Sequence, residues 1–431
     1  MRYKRITTSF ITCFALAIVM LFPQATFAQS LDDYLILAGE SNPALKAEFT
    51  KYLASLEEVP QVTALPDPDL SFGYFISPIE TRVGPQQSRI GLNQMFPWFG
   101  TLSAKGDVAT EQAKSQFEVF EEARNKLFFQ VKQQWYKLYL LHQSIAILEE
   151  NIDILQTFEN LSLQRYETGQ VSQVDVLRVQ IEKEDLQVQL ELLKDQLKTD
   201  EAIFNEFLNR DKNLKVEIAD TLTVSPFLVD EVGLSQQILS RNPKLSQLDY
   251  QAASAEHAIN VAQKSGMPKF GLGFDYIFTD ERTDLNPSGN GDDAFVVKLG
   301  VKIPLWRGKY RAQEKQAELN YRSIQDRQLA VENSLTTDLE KALRDLRDAE
   351  RRDTLYKDIQ VRRTRQAIDI LLEEYTSSSA DFEELLRLQQ KLLKFQLAQK
   401  QAVVDQNIAV AYLEYLSGTD NTTPEQTNFK N

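Results

Sequence analysis

One stretch limits the possible folds of this chain more than any other. From Trp98 to Ser225 there is no proline, and between Asp107 and Val232 the only glycine is Gly169. Proline removes a backbone donor and clashes inside a helix, and glycine costs about 1 kcal/mol against alanine there. A run free of both except at one point predicts a long helical hairpin over 103–208, turning within Arg165-Tyr166-Glu167-Thr168-Gly169-Gln170-Val171-Ser172. Heptads read from Phe117 place Phe120, Leu127, Val131, Leu138, Leu141, Ile145, Leu148, Ile152 and Leu155 on one coiled-coil-like seam. The return helix is expected to pack through Val174, Leu177, Ile181, Val188 and Leu192, and near its end through Phe204, Phe207 and Leu208.

The hairpin is preceded by a change of period from helical to two. Leu70, Phe72, Tyr74 and Ile76 share one face of a strand at about 70–77. After a loop holding Pro78, Gly84 and Pro85, a second strand is expected at about 90–96. The whole programme then recurs. Asn242-Pro243 echoes Asn42-Pro43, each opening a helix with an Asn cap and Pro at the first position. Strands follow at about 270–278 and 295–303, the second with Phe295, Val297, Leu299, Val301 and Ile303 on one face. Pro304-Leu305-Trp306-Arg307-Gly308 matches Pro97-Trp98-Phe99-Gly100, and the two tryptophans suit either an interfacial belt or, the favoured reading, packing where strand becomes helix. Lys309 to Ser417 has neither proline nor glycine and predicts a second hairpin over 309–416, with Thr376-Ser377-Ser378-Ser379 at its turn. Tyr375, Leu386, Arg387 and Gln389 follow Tyr166, Leu177, Arg178 and Gln180 at one constant interval. The chain therefore divides into repeats at 29–225 and 226–418, with a polar tail at 419–431 expected to be disordered.

Each hairpin is lopsided, since its return helix is far shorter than its outgoing one. Short helices such as those opening at Asn42-Pro43 and Asn242-Pro243 are expected to stack end to end with the return helices and complete a cylinder wall.

Arg2, Lys4 and Arg5, the apolar run Phe10–Phe22 and Thr26-Phe27-Ala28 predict a secretory signal peptide at 1–28. The single cysteine, Cys13, lies inside it, which leaves no disulfide framework and no thiol chemistry. With 62 acidic against 48 basic residues and a net charge of −14, the chain is a poor partner for nucleic acid. No segment beyond the signal is apolar over the roughly 20 residues a membrane helix needs. If the exported chain enters a membrane, strands must do it. A soluble sheet packed on helices is the competing reading. Four strands cannot close a barrel. Two chains would give eight strands and a barrel filled by side chains; three would give twelve and a lumen.

These residues resemble the TolC-like outer-membrane efflux channels of tripartite pumps. The duplication, the corners Phe96-Pro97 and Ile303-Pro304, and the tip Arg165-Tyr166-Glu167-Thr168-Gly169 with Ser172 and Asp175-Val176-Leu177 carry the resemblance. It implies a mainly α protein with transmembrane β: a homotrimer whose 12-stranded outer-membrane barrel, set in lipid, continues into a long periplasmic α-helical barrel. It further implies a passive conduit whose tip meets a periplasmic adaptor, with an inner-membrane transporter supplying the drive. By position, Asp175 and Glu384 correspond to the acidic residues of the periplasmic entrance, whereas Arg387 and Ala380 depart from the family pattern. Tyr166, Gly169, Ser172, Ser378 and Ser379 fall at the adaptor-contacting tip. The competing origin of Asp175, Glu384, Asp381 and Glu383 is an ordinary helix start, where acids are favoured.

No constellation for catalysis, cofactor or metal stands out; His142 and His257 sit singly in helical context. The same architecture suits a type I protein secretion duct, so the exported cargo is not legible. A periplasmic adaptor or a structural coiled coil fits less well, because neither calls for a duplicated hairpin with four alternating strands.

Overall fold

The computed structural model of the protein describes residues 30–219, 221–222, 230–376 and 382–418. The expected signal peptide, the expected disordered tail and the turn serines Ser378 and Ser379 lie outside the described residues.

Repeat one contains α1 (Leu31–Ser41), α2 (Pro43–Leu56), α3 (Glu58–Thr63), β1 (Asp69–Thr81), β2 (Gly84–Phe96), α4 (Thr101–Glu167) and α5 (Gln173–Phe207). Repeat two contains α6 (Glu231–Arg241), α7 (Pro243–Ser265), β3 (Lys269–Thr279), β4 (Ala294–Lys302), α8 (Arg307–Thr354), α9 (Val361–Thr376) and α10 (Phe382–Ser417). At 67 residues, α4 is about 100 Å long. One helical turn was not foreseen: α3 contains Pro60, tolerated because it lies in the first turn, where its missing N–H has no intrahelical partner to lose. A second surprise is the π-helical segment Leu355–Gln360 between α8 and α9, which breaks the long helix of repeat two. Repeat one has a continuous α-helix in the same place.

The short helices do stack end to end, and one device joins them in both repeats. Asn42 caps α2 by accepting from Leu45 N–H at 3.0 Å, while its amide donates to the Phe207 carbonyl at the end of α5, also at 3.0 Å. Asn242 caps α7 through Lys244 N–H at 3.0 Å and donates to the Leu416 carbonyl of α10 at 2.8 Å. Each asparagine thus satisfies an orphan donor of one helix and an orphan acceptor of another. Asn242→Ala is expected to cost about 2 kcal/mol, the cap and the stranded carbonyl together. Denaturant unfolding followed by helical circular dichroism reads the loss, and Asn242→Asp, which keeps only the acceptor, should fall between the two.

Three apolar cores run along the helices. The first, between the lower parts of α4, α5, α9 and α10, is built on Leu148, Leu155, Val179, Tyr375 and Leu385. The second joins α1, α4 and the end of α5 through Tyr34, Leu35, Leu138 and Phe204. The third joins α6, α7, α8 and α10 through Ile238, Leu343 and Leu413. The seam expected on α4 is buried or half-buried throughout, with Leu127, Val131, Leu138, Leu141, Leu148 and Leu155 buried. For α5 the expected face is corrected: Val174, Leu177, Ile181, Val188 and Leu192 are exposed, and Val176, Val179, Leu186 and Leu190 are buried in their place. This helix carries two apolar stripes, and the described residues cover only one.

The four strands form one antiparallel sheet in the order β1-β2-β3-β4. The first pair exceeds its expected bounds. In place of a long loop after Ser77, β1 continues to Thr81 and turns back at Gly84. Pro78 is accommodated because β1 is an edge strand whose register shifts between Tyr74 and Ile79. Gly84 is required at the turn: its φ is +135°, and a Cβ there would lie 1.7 Å from the Asp280 carbonyl oxygen. At the other end β4 stops at Lys302, so Ile303 belongs to the corner rather than the strand.

Candidate functional site

The sheet has two chemically different faces. Register lines cross it as Leu70, Leu92, Phe274 and Val297, and as Phe72, Ile90, Tyr276 and Phe295. All eight side chains are exposed. Phe274 stacks on Phe295 with centroids 6.1 Å apart. An apolar face of this breadth has no partner among the described residues and must meet something other than water. At its lower margin Trp98 stacks on Phe270 at 5.9 Å, as packing at the corner predicts. Trp306 does not pack: it is 81% exposed, beside exposed Leu305.

The opposite face carries Ser71, Gly91, Asp275 and Val296 in one register line and Asp69, Asn93, Gly273 and Lys298 in the next. Asp275, its side chain 5% exposed, takes an ion pair from Lys298 at 2.7 Å and approaches Arg89 at 3.7 Å. Gly91 makes room for it, since a Cβ there would lie 2.5 Å from the Asp275 carboxylate. Attention to the aromatic alternation passes over this centre; the signal for it is Gly271, Gly273 and Asp275 interleaved with the aromatics of β3.

At the far end of the helices, Gly169 has φ +73° and turns the chain, its N–H donating to the Tyr166 carbonyl at 2.9 Å. Ser172 is the N-cap of α5 and Asp175 completes its capping box, accepting from Ser172 N–H at 3.3 Å. Arg178 links the two hairpins, 3.7 Å from Asp175 and 2.8 Å from Glu383 of α10. Glu384 pairs with Arg387 on its own helix. The two acids assigned to the entrance are therefore both partnered, and the bridge between hairpins runs through Arg178 and Glu383, which the sequence presents only as a repeat-matched residue and an acid of a helix start.

The duplicated tip motif is used in two ways. Tyr166 is 42% exposed and its counterpart Tyr375 only 1%; Leu177 is 47% exposed and its counterpart Leu386 only 7%. Tyr375 is closed in by Phe382, with centroids 5.2 Å apart, and by the Arg165 guanidinium, 4.2 Å above its ring. Burial pushes its phenol up, with Arg165 opposing. Further from the tip, hydrogen bonds from Lys183 and Gln180 hold the Glu159 carboxyl below the usual range. That tie between α4 and α5 is present above the ordinary carboxylate range and is lost as pH falls through the lowered value.

Among the described residues no helix is long and apolar enough to cross a membrane, and no group of three or more His, Cys, Asp or Glu is placed to hold a metal ion.

A family model described as outer membrane efflux protein matches residues 36–209 and 234–419, one segment in each repeat. Outer membrane efflux protein BepC of Brucella suis biovar 1 (strain 1330) is 22% identical over 421 residues, covering 94% of this chain and 88% of its own. The outer-membrane channel OprN shares the fold with a TM-score of 0.77 at 17% identity, over 90% of this chain and 89% of its own. VceC from Vibrio cholerae does so with a TM-score of 0.74 at 16% identity, over 90% of this chain and 96% of its own. Matched through both repeats, the chain belongs to the outer membrane efflux protein family, a family of TolC-like channels rather than enzymes, and its place is the outer membrane.

Proposed function

We propose that the chain is the channel subunit of a tripartite efflux pump, a passive homotrimeric conduit for small molecules or ions. The observation that carries this reading is the sheet. It has one broad apolar face and two open edges, β1 and β4, whose unpaired backbone groups are forbidden in lipid. Pairing the β4 edge of one copy with the β1 edge of the next removes every edge. With four strands from each of three copies it closes a twelve-stranded barrel, apolar toward lipid. The uncovered stripe of α5, with exposed Val174, Ile181 and Val188, supplies a second seam for a neighbouring copy in the helical wall.

The tip then faces the periplasm. Tyr166, Gly169, Ser172, Ser378 and Ser379 are the proposed contact with an adaptor that couples the duct to an inner-membrane transporter. Asp175 and Glu384 mark the entrance, held by the Arg178–Glu383 bridge between hairpins.

Outer-membrane fractions should yield a detergent-dependent, heat-sensitive trimer that conducts ions in planar bilayers. A soluble monomer in the periplasm overturns the reading. Within the conducting trimer, Glu384→Gln should lower the preference for cations. The entrance assignment fails if conductance and ion preference both stay as they were.

A further inference from the structure

We propose that the barrel contains a basic collar that binds multivalent anions, so that the duct favours anionic cargo at its membrane level. The inference rests on the barrel reading above, because only a closed barrel turns the inner sheet face into a lumen.

The register decides which charges point inward. Lys298 lies across from Gly273 and Asn93, and Lys302 lies across from Lys269 on the same face, since alternate residues of a strand share a side. Arg89 joins them through its line with Gly73 and Ile277. The acids on this face are Asp69 and Asp275. Asp275 is buried and ion-paired with Lys298, so that pair adds little net charge, and exposed Asp69 is outweighed by exposed Arg89, Lys269 and Lys302. Among the described residues neither Lys269 nor Lys302 has an acidic partner within ion-pair distance, and both are exposed.

Two further features make this a built surface rather than scattered lysines. Glycines recur between the charges, with open space above Gly73 and Gly300, so the face is low and roomy where cargo would pass. A row of like charge facing inward on a low-dielectric wall also focuses its field into the lumen instead of spreading it through solvent. Lys269 and Lys302, as cross-strand neighbours of like charge, cost the sheet something, which a counter-anion between them relieves. The chain as a whole is strongly acidic, which sets this collar apart from the rest of the molecule.

The test uses the trimer in planar bilayers with inorganic triphosphate as the probe, added to either side. Triphosphate should reduce the current, and Lys269→Gln with Lys302→Gln should raise the half-blocking concentration about tenfold, more at low salt than at high. Lys269→Arg with Lys302→Arg should block like the unaltered protein. These residues are exposed and unpaired, so the variants leave the Asp275 centre intact. Equal block of the Gln variant and the unaltered channel overturns the collar while leaving the channel reading standing. Failure of the unaltered protein to conduct at all overturns the channel reading, and the collar with it.

Discussion

Val297→Lys is expected to empty the outer membrane of assembled protein, while the same change one residue earlier, Val296→Lys, leaves it there. Val297 stands in the middle of β4, exposed on the apolar face and in register with Phe274. A lysine at the bilayer midplane on the lipid face of a barrel costs about 2–4 kcal/mol, or roughly 30-fold to nearly 1,000-fold in each protomer's partition. Every copy in the assembly bears it. Val296 points to the other face, is itself exposed and lies across from Asp275, where a lysine meets a carboxylate rather than lipid. The amount of heat-sensitive oligomer in outer-membrane preparations reads both. Equal tolerance of the two variants, or equal loss, contradicts the assignment of the faces.

Phe204→Ala should be the most damaging single truncation in the helical wall, at about 3–5 kcal/mol. Phe204 is fully buried and meets Tyr34 edge-on with ring centroids 5.0 Å apart. Tyr34 in turn takes a hydrogen bond from Glu217 N–H at 3.0 Å and lies under the Arg210 guanidinium. One ring therefore holds the first helix, the end of α5 and the segment after it. Phe204→Leu keeps most of the volume and should cost only about 1 kcal/mol. Denaturant midpoints at constant slope separate the two. If the alanine and leucine variants unfold together, Phe204 is not the keystone of that core.

The hairpins and the apolar strand faces were legible because burial enforces a period, and the period is written in the residues. Features set by long-range packing were not. The covered stripe of α5 cannot be chosen from sequence, since Val174-Leu177-Ile181 and Val176-Val179-Leu186 are both apolar and only the neighbouring helices decide between them. The π-helical segment Leu355–Gln360 contains no glycine or proline to announce it, and the stacking of Tyr356 on Phe395 that accompanies it joins distant parts of the chain. Pro78 stops a strand by local rules, and its tolerance depends on β1 being an edge, which is a property of the sheet. At the tip, the acids were visible one by one. The bridge between the hairpins was not, because Arg178 and Glu383 meet only when two hairpins pack together. Asp275 shows the same limit: its neighbours Arg89 and Lys298 come from different strands.

The asparagine junctions at Asn42 and Asn242 have a mechanical consequence. Each long helix is backed by two shorter ones meeting butt to butt, like a beam laminated from one whole ply and one jointed ply. Flexure and torsion in such a beam gather at the joint, where only a few hydrogen bonds span the gap, while the lengths on either side stay stiff. Load applied at the far end of the helices can thus be absorbed at mid-height without straining the strands.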